Sequence, residues 1–172
     1  MEFIGNEFEK ETFTGLNLTG ENFTDSVFID CKFKRCNLSN VDLNECRLQN
    51  VLFEDCKILG LDFKECKEFF LDINFKNCVI EYTLFSKLNL QKTSFKESKI
   101  SQSDFEGTNL FKSNFDDVEF IDVVFHNTNL IDSSFIGAKG YEINPMNNKI
   151  KKAKFSTPEV LSLLGYFEIE IE

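Results

Sequence analysis

SDFEGTNLFKSNFDDVEFIDVVF, residues 103–125, places a large apolar side chain at every fifth position: Phe105, Leu110, Phe115, Phe120 and Phe125. Two residues before each of them stands a small one, Ser103, Thr108, Ser113, Val118 and Val123. A period of five fits neither the 3.6-residue period of a helix nor the two-residue period of a strand. The chain must therefore turn once per repeat. One large and one small side chain point inward each time, and polar residues separate them, which describes one wall of a narrow coil.

The same spacing extends in both directions. Reading back to the start gives Phe3, Phe8, Phe13, Leu18, Phe23, Phe28, Phe33, Leu38, Leu43, Leu48, Phe53, Ile58 and Phe63 without an exception. After a seven-residue step the period resumes at Phe70 and runs through Phe75, Ile80, Phe85, Leu90, Phe95 and Ile100 into the quoted stretch, ending at Leu130 and Phe135. That makes 27 centres, 17 of them Phe. The reuse of one ring explains a composition of 21 Phe with three Tyr and no Trp. The small position is equally restricted in the first half, with Ser26, Cys31, Cys36, Val41, Cys46, Val51 and Cys56.

CNLSN at 36–40, VDLNE at 41–45, TNLFK at 108–112, SNFDD at 113–117 and TNLID at 128–132 resemble the motif of the pentapeptide repeat family. The resemblance covers about residues 3–140 and implies an all-β fold, a right-handed quadrilateral β-helix with four repeats per coil. Nearly seven coils at a spacing of ~4.8 Å would give a rod roughly 32 Å long. Each coil contacts only its neighbours, so the open ends need caps against edge-to-edge association. The two extra residues near Lys67, Glu68 and Phe69 are expected to form a bulged corner that the coil tolerates.

No chemistry-bearing constellation emerges from the sequence. Cys31, Cys36, Cys46, Cys56, Cys66 and Cys78 fall in the small inward register, so they are expected to be buried free thiols without a metal. His126 lies at an outward position, and the Asp and Asn residues before the centres are turn formers. No glycine-rich phosphate loop occurs. The expectation is a protein that is not an enzyme and has no cofactor. No secretory pattern and no long apolar run are present, which predicts a cytoplasmic chain without a membrane span. A net charge of −10 argues against direct binding to nucleic acid.

Stacking every fourth centre sorts outward residues onto faces. The face built on Phe3, Phe23, Leu43, Phe63, Phe85, Phe105 and Phe125 shows Glu2, Asp25, Asp42, Glu45, Asp62, Glu65, Asp104 and Glu106 against Lys64 and Lys87. The other three faces are close to neutral, so the rod is electrically one-sided. The adjacent face carries Ile29, Leu71, Phe111 and Ile131 just after its centres, a broken apolar stripe.

Residues 141–172 read as a separate C-terminal element. STPEVLSLLG at 156–165 predicts a short α-helix, with a capping box from Ser156 and Glu159, Pro158 in the first turn and Gly165 as the stop. Val160, Leu161, Leu163 and Leu164 give it an apolar side that must pack on the solenoid end or on a second copy. YFEIEIE alternates like a short strand. A solenoid with this tail resembles the quinolone-resistance pentapeptide proteins of the Qnr and MfpA type. That resemblance implies a homodimer through the C-terminal helix and an acidic rod that mimics DNA and binds DNA gyrase or topoisomerase IV. The alternative is a scaffold that binds an unrelated partner through the apolar stripe.

Overall fold

The computed structural model describes residues 2–167 and 169–170. The five-residue turns close into a four-sided parallel solenoid. One side pairs strands Glu7–Glu9, Val27–Ile29 and Arg47–Gln49. The next pairs Thr12–Thr14, Lys32–Lys34, Val51–Glu54 and Ile73–Lys76. The third pairs Lys57–Leu59, Val79–Glu81, Lys99–Ser101 and Glu119–Ile121. The fourth is held by isolated bridges such as Leu84↔Asp104 and Asp104↔Val124. Centres lie on centres, as in Phe8↔Phe28↔Leu48 and Ile58↔Ile80↔Ile100↔Phe120.

Packing inside the square follows from ring shape. Phe13, Phe33, Phe53, Phe75, Phe95, Phe115, Phe135 and Phe155 stack along one wall, with neighbouring rings 4.8–5.3 Å apart. Phe63, Phe85, Phe105 and Phe125 form a second ladder on the opposite wall. The two ladders meet edge to face, for example Phe95 against Phe105 at 5.5 Å and 87°. Both arrangements suit the quadrupole of the ring. In the upper coils Leu and Ile fill the other two walls.

The small inward residue has a second duty besides fitting. At many positions its side chain donates to the carbonyl oxygen of the residue 23 positions earlier, in the coil beneath: Ser26 Oγ to Phe3 O at 2.7 Å, Cys56 Sγ to Phe33 O at 3.3 Å, Thr108 Oγ1 to Phe85 O at 2.7 Å, Thr128 Oγ1 to Phe105 O at 2.9 Å, whereas Thr83, Ser98 and Ser103 donate to the carbonyl two residues earlier in their own coil. A small residue with a polar hydrogen is therefore preferred over alanine. All six cysteines are buried and free. Hydrogen bonding to Cys78 together with burial pushes the Cys56 thiol up, and hydrogen bonding to Cys46 together with burial does the same to Cys66, so both stay protonated at neutral pH. Cys56→Ser should hold the melting temperature close to wild type. Cys56→Ala, which strands the Phe33 carbonyl and leaves a small void, should cost about 1 kcal/mol. Equal losses in the two variants on chemical denaturation would refute the donor role.

The corner residue after each repeat adopts left-handed backbone. Asp30, Arg35 and Asn40 have φ of 54°, 53° and 55°. Such a conformation costs a non-glycine residue roughly 1–2 kcal/mol, and here the ladders on either side impose it. The first described coil departs from the pattern: its small positions hold Asn6, Glu11, Leu16 and Glu21, none of them fully buried.

Several expectations need correction. At the two-residue insertion the side chain that packs against the core is Leu71, itself half-buried, and not Phe70, which lies under the Arg47 guanidinium. The extra residues close a 3-10 turn at Glu68–Phe70, and the chain re-enters the ladder two positions late, with Val51 pairing with Ile73. The solenoid also does not stop at Gly140. Phe125↔Ile143, Asn129↔Lys149 and Ser134↔Lys154 add a further coil that reaches Phe155. A shortened corner near Tyr141 and a lengthened one at Asn144–Asn147 cancel, which hides the period.

The short C-terminal helix is present, but it winds as a 3-10 helix over Glu159–Phe167. Ser156 does not serve as a capping box, since its hydroxyl accepts from the Gly137 N–H at 2.9 Å, and Gly165 lies within the helix. Tyr166 and Phe167 are its last residues. Ile169 and Glu170 form no strand, and the rest of the expected strand lies outside the described residues. Tyr141 sits in the last coil between Phe135 and Phe155, 3% exposed, with no partner for its hydroxyl. Burial, with Glu159 adding to it, pushes its pKa up to about 12. Removing a buried unsatisfied hydroxyl should help, so Tyr141→Phe is expected to stabilise the protein by about 1 kcal/mol in thermal unfolding.

Candidate functional site: the acidic side and the insertion

The carboxylates fall into two kinds according to how the backbone presents them. Asp42, Asp62 and Asp104 precede centres, and each turns one oxygen back to the N–H two residues on: Asn44 at 2.9 Å, Lys64 at 3.0 Å and Glu106 at 2.7 Å. These acids shape their own turns and offer only the second oxygen outward. Asp25 and Glu45 stand at left-handed corners with φ of 56° and 55°, their side chains 62% and 60% exposed. Glu65, one coil further, ends the 3-10 turn Phe63–Glu65.

Asp25, Asp42, Glu45, Asp62 and Glu65 thus gather on three successive coils in the lower half of the rod. Above them the pattern changes. Asp104 lies in one column between Leu84 and Val124, which are 38% and 50% exposed. Lys87, Gly107 and Asn127 take over the column of Asp25 and Glu45, and Glu106 faces His126 Nδ1 at 3.5 Å. The structure therefore brings five of the eight acids together and leaves Asp104 and Glu106 in a mixed surface.

Phe111 and Ile131 are neighbours in adjacent coils, joined by the Lys112 N–H to Ile131 O bond of 3.0 Å. Beside them runs an asparagine ladder in which Asn129 donates to Asn109 at 2.8 Å and Asn109 to Asn89 at 2.9 Å. Ile29 stands apart, beyond Gln49, and Leu71 is turned into the core. On the C-terminal helix Val160 and Leu163 pack on the solenoid end, Leu164 is half-buried, and Leu161 points outward at 47% exposure with Tyr166 and Phe167.

Sequence reading passed over two residues of the insertion. The Lys67 ammonium reaches Asp25 at 3.7 Å and Glu45 at 3.9 Å, so the insertion edges the acidic columns. Phe69 is 91% exposed. The only signal for either was the seven-residue step itself. Elsewhere, Lys32 and Lys34 bracket Glu54 and hold its carboxyl at about 2. Among the described residues no cluster of His, Cys, Asp and Glu is arranged to hold a metal ion. No described helix is long and apolar enough to cross a membrane.

A parallel solenoid with a five-residue repeat and a phenylalanine-lined square core defines a repeat scaffold. The family model for the pentapeptide repeat region matches residues 6–68 and 68–155, and the chain belongs to that family. Among solved structures, a trypsin-treated variant of QnrB1, a plasmid-mediated fluoroquinolone resistance protein, is 20% identical. The match covers 99% of this chain and 92% of that one with a TM-score of 0.62. Full-length QnrB1 is 18% identical over 97% of this chain and 92% of its own, with a TM-score of 0.59. HetL of Nostoc sp. strain PCC 7120, a pentapeptide repeat protein involved in heterocyst differentiation regulation, is 11% identical over 88% and 86% of the two chains, with a TM-score of 0.46. No curated protein matches the sequence.

Proposed function

We propose that the chain is a non-enzymatic, protein-binding scaffold of the cytoplasm. Its lower acidic side enters a cation-lined groove of a type II topoisomerase, DNA gyrase or topoisomerase IV, in place of duplex DNA, and shields the enzyme from quinolones. The observation that carries this reading is the set Asp25, Asp42, Glu45, Asp62 and Glu65, stacked on consecutive coils of a rigid rod. A groove that binds DNA is lined by Lys and Arg set to meet phosphates along a rod, and regularly stacked carboxylates can meet the same groups. The likeness in fold to QnrB1 supports the choice of partner. The test is binding of purified wild-type protein to both topoisomerases at low salt, with inhibition of gyrase supercoiling as the activity readout. Absence of binding to either enzyme by folded protein ends the topoisomerase reading.

Self-association through the C-terminal helix belongs to the same proposal. It would use the outward Leu161, Leu164, Tyr166 and Phe167, because Val160 and Leu163 are occupied in capping. Leu161→Asp combined with Leu164→Asp should give a folded monomer in sedimentation velocity. A wild type that is monomeric at micromolar concentration would reduce the helix to a cap.

A further inference from the structure

The insertion lifts an aromatic ring into water and holds it there. Both ends of the segment are tied into the ladder, Lys67 N–H to Cys46 O and Asp72 N–H to Leu48 O, each at 2.9 Å. The turn between them is closed by the Phe70 and Leu71 N–H groups, both at 3.0 Å, and the half-buried Leu71 packs against the core. Phe69 meets Phe70 edge to face at 5.0 Å and 88°. Phe70 lies under the Arg47 guanidinium, 3.9 Å from the ring centroid, and Arg47 is itself fixed by donating to Gln49. A surface phenylalanine without a role could fold down against its own protein; this one is braced outward, at the greatest exposure of any large apolar side chain described.

We infer that Phe69 is the aromatic anchor of the acidic side. The partner that meets Asp25, Glu45 and Glu65 with cations also offers, beside them, an apolar cleft that takes one phenyl ring. Charge complementarity assigns this partner: Glu68 precedes the ring in the turn, Glu65 and Asp72 flank the segment in sequence, and Lys67, 3.7 Å from Asp25 and 3.9 Å from Glu45, ties the turn to the acidic columns. The two components have different roles. Carboxylates steer association and make it salt-dependent, while a buried ring in a desolvated pocket slows dissociation and rejects surfaces that are merely basic. The assignment rests on the acidic-side reading above.

The chain has no tryptophan, so Phe69→Trp made with 5-hydroxytryptophan provides a single reporter that can be excited to the red of the partner's own indoles. With intact DNA gyrase as the probe, acrylamide quenching of residue 69 should fall sharply on binding. Phe69→Ser should weaken binding about tenfold or more through faster dissociation, with the salt dependence and the melting temperature unchanged. If wild type and Phe69→Ser bind alike and residue 69 stays fully quenchable in the complex, the anchor is refuted and the acidic-side reading survives. If wild-type protein does not bind, both fall together. Protection of residue 69 that rises with this protein's own concentration, without gyrase, assigns the ring to a contact between copies and overturns the inference.

Discussion

Phe85→Ala is expected to lower the unfolding free energy by about 3–5 kcal/mol, the range for deleting a fully buried ring. Phe85 is 0% exposed and stacks between Phe63 at 5.1 Å and Phe105 at 4.8 Å. The edges of Phe75 and Phe95 meet it at 6.0 and 5.6 Å. Truncation therefore interrupts one ladder and removes its edge contacts to the other, and in a solenoid no distant contact compensates, because each coil is stabilised by its neighbours alone. Equilibrium denaturation followed by circular dichroism measures the loss. A second, lower transition is also expected as the two halves of the rod uncouple. Phe85→Leu should retain more than half of the lost stability, since volume and apolar area are mostly kept. A loss below about 1 kcal/mol for the alanine variant would show that the stacked rings do not act as one packed core.

Reversing Asp25, Glu45 and Glu65 to lysine is expected to abolish gyrase binding and supercoiling inhibition. These three are the informative choice because their oxygens make no hydrogen bond to the turns, unlike Asp42 and Asp62, whose loss would also release the N–H groups of Asn44 and Lys64. The wild-type complex should weaken steeply as salt rises from low ionic strength, and residual binding by the triple variant should lose most of that dependence. Circular dichroism must show the fold unchanged. This is expected, because like charges one coil apart are exchanged for like charges, and surface ion pairs such as those of Lys67 contribute at most about 1 kcal/mol. Contact through the apolar stripe predicts the reverse. Phe111→Ser with Ile131→Ser would then remove binding, while the charge reversals would matter little.

The repeat, its inward pair and the square coil were legible because one physical demand, a ring and a small donor facing inward every five residues, acts at nearly every position. What escaped were places where the backbone departs from that demand. Phe70 and Leu71 are equally apolar, and only the closure of the 3-10 turn decides that Leu71 goes in. The last coil was hidden because a shortened and a lengthened corner fall within Gly140–Asn147, although Ile150 and Phe155 stand 20 residues after Leu130 and Phe135. The capping box failed because a neighbouring coil's backbone, at Gly137, claimed the Ser156 hydroxyl. At the candidate site, net charge per face was countable from the sequence. Its gathering into the lower half was not evident, because the face-wide total merged coils that carry acids with coils that carry Leu84, Lys87 and Val124.

The recurring donor to the coil beneath has a consequence for size. Since the bonds from Ser26 to Phe3, Cys56 to Phe33 and Thr128 to Phe105 are the same bond repeated, any internal coil can serve as floor for the one above and ceiling for the one below. Chain length then converts to rod length in fixed steps, about 4.8 Å for every four repeats, and the two extra residues near Phe69 change the outline without adding a step. Such a molecule is a ruler: duplicating or excising a single coil moves one end relative to the other by a set distance and keeps every remaining side chain on its original wall.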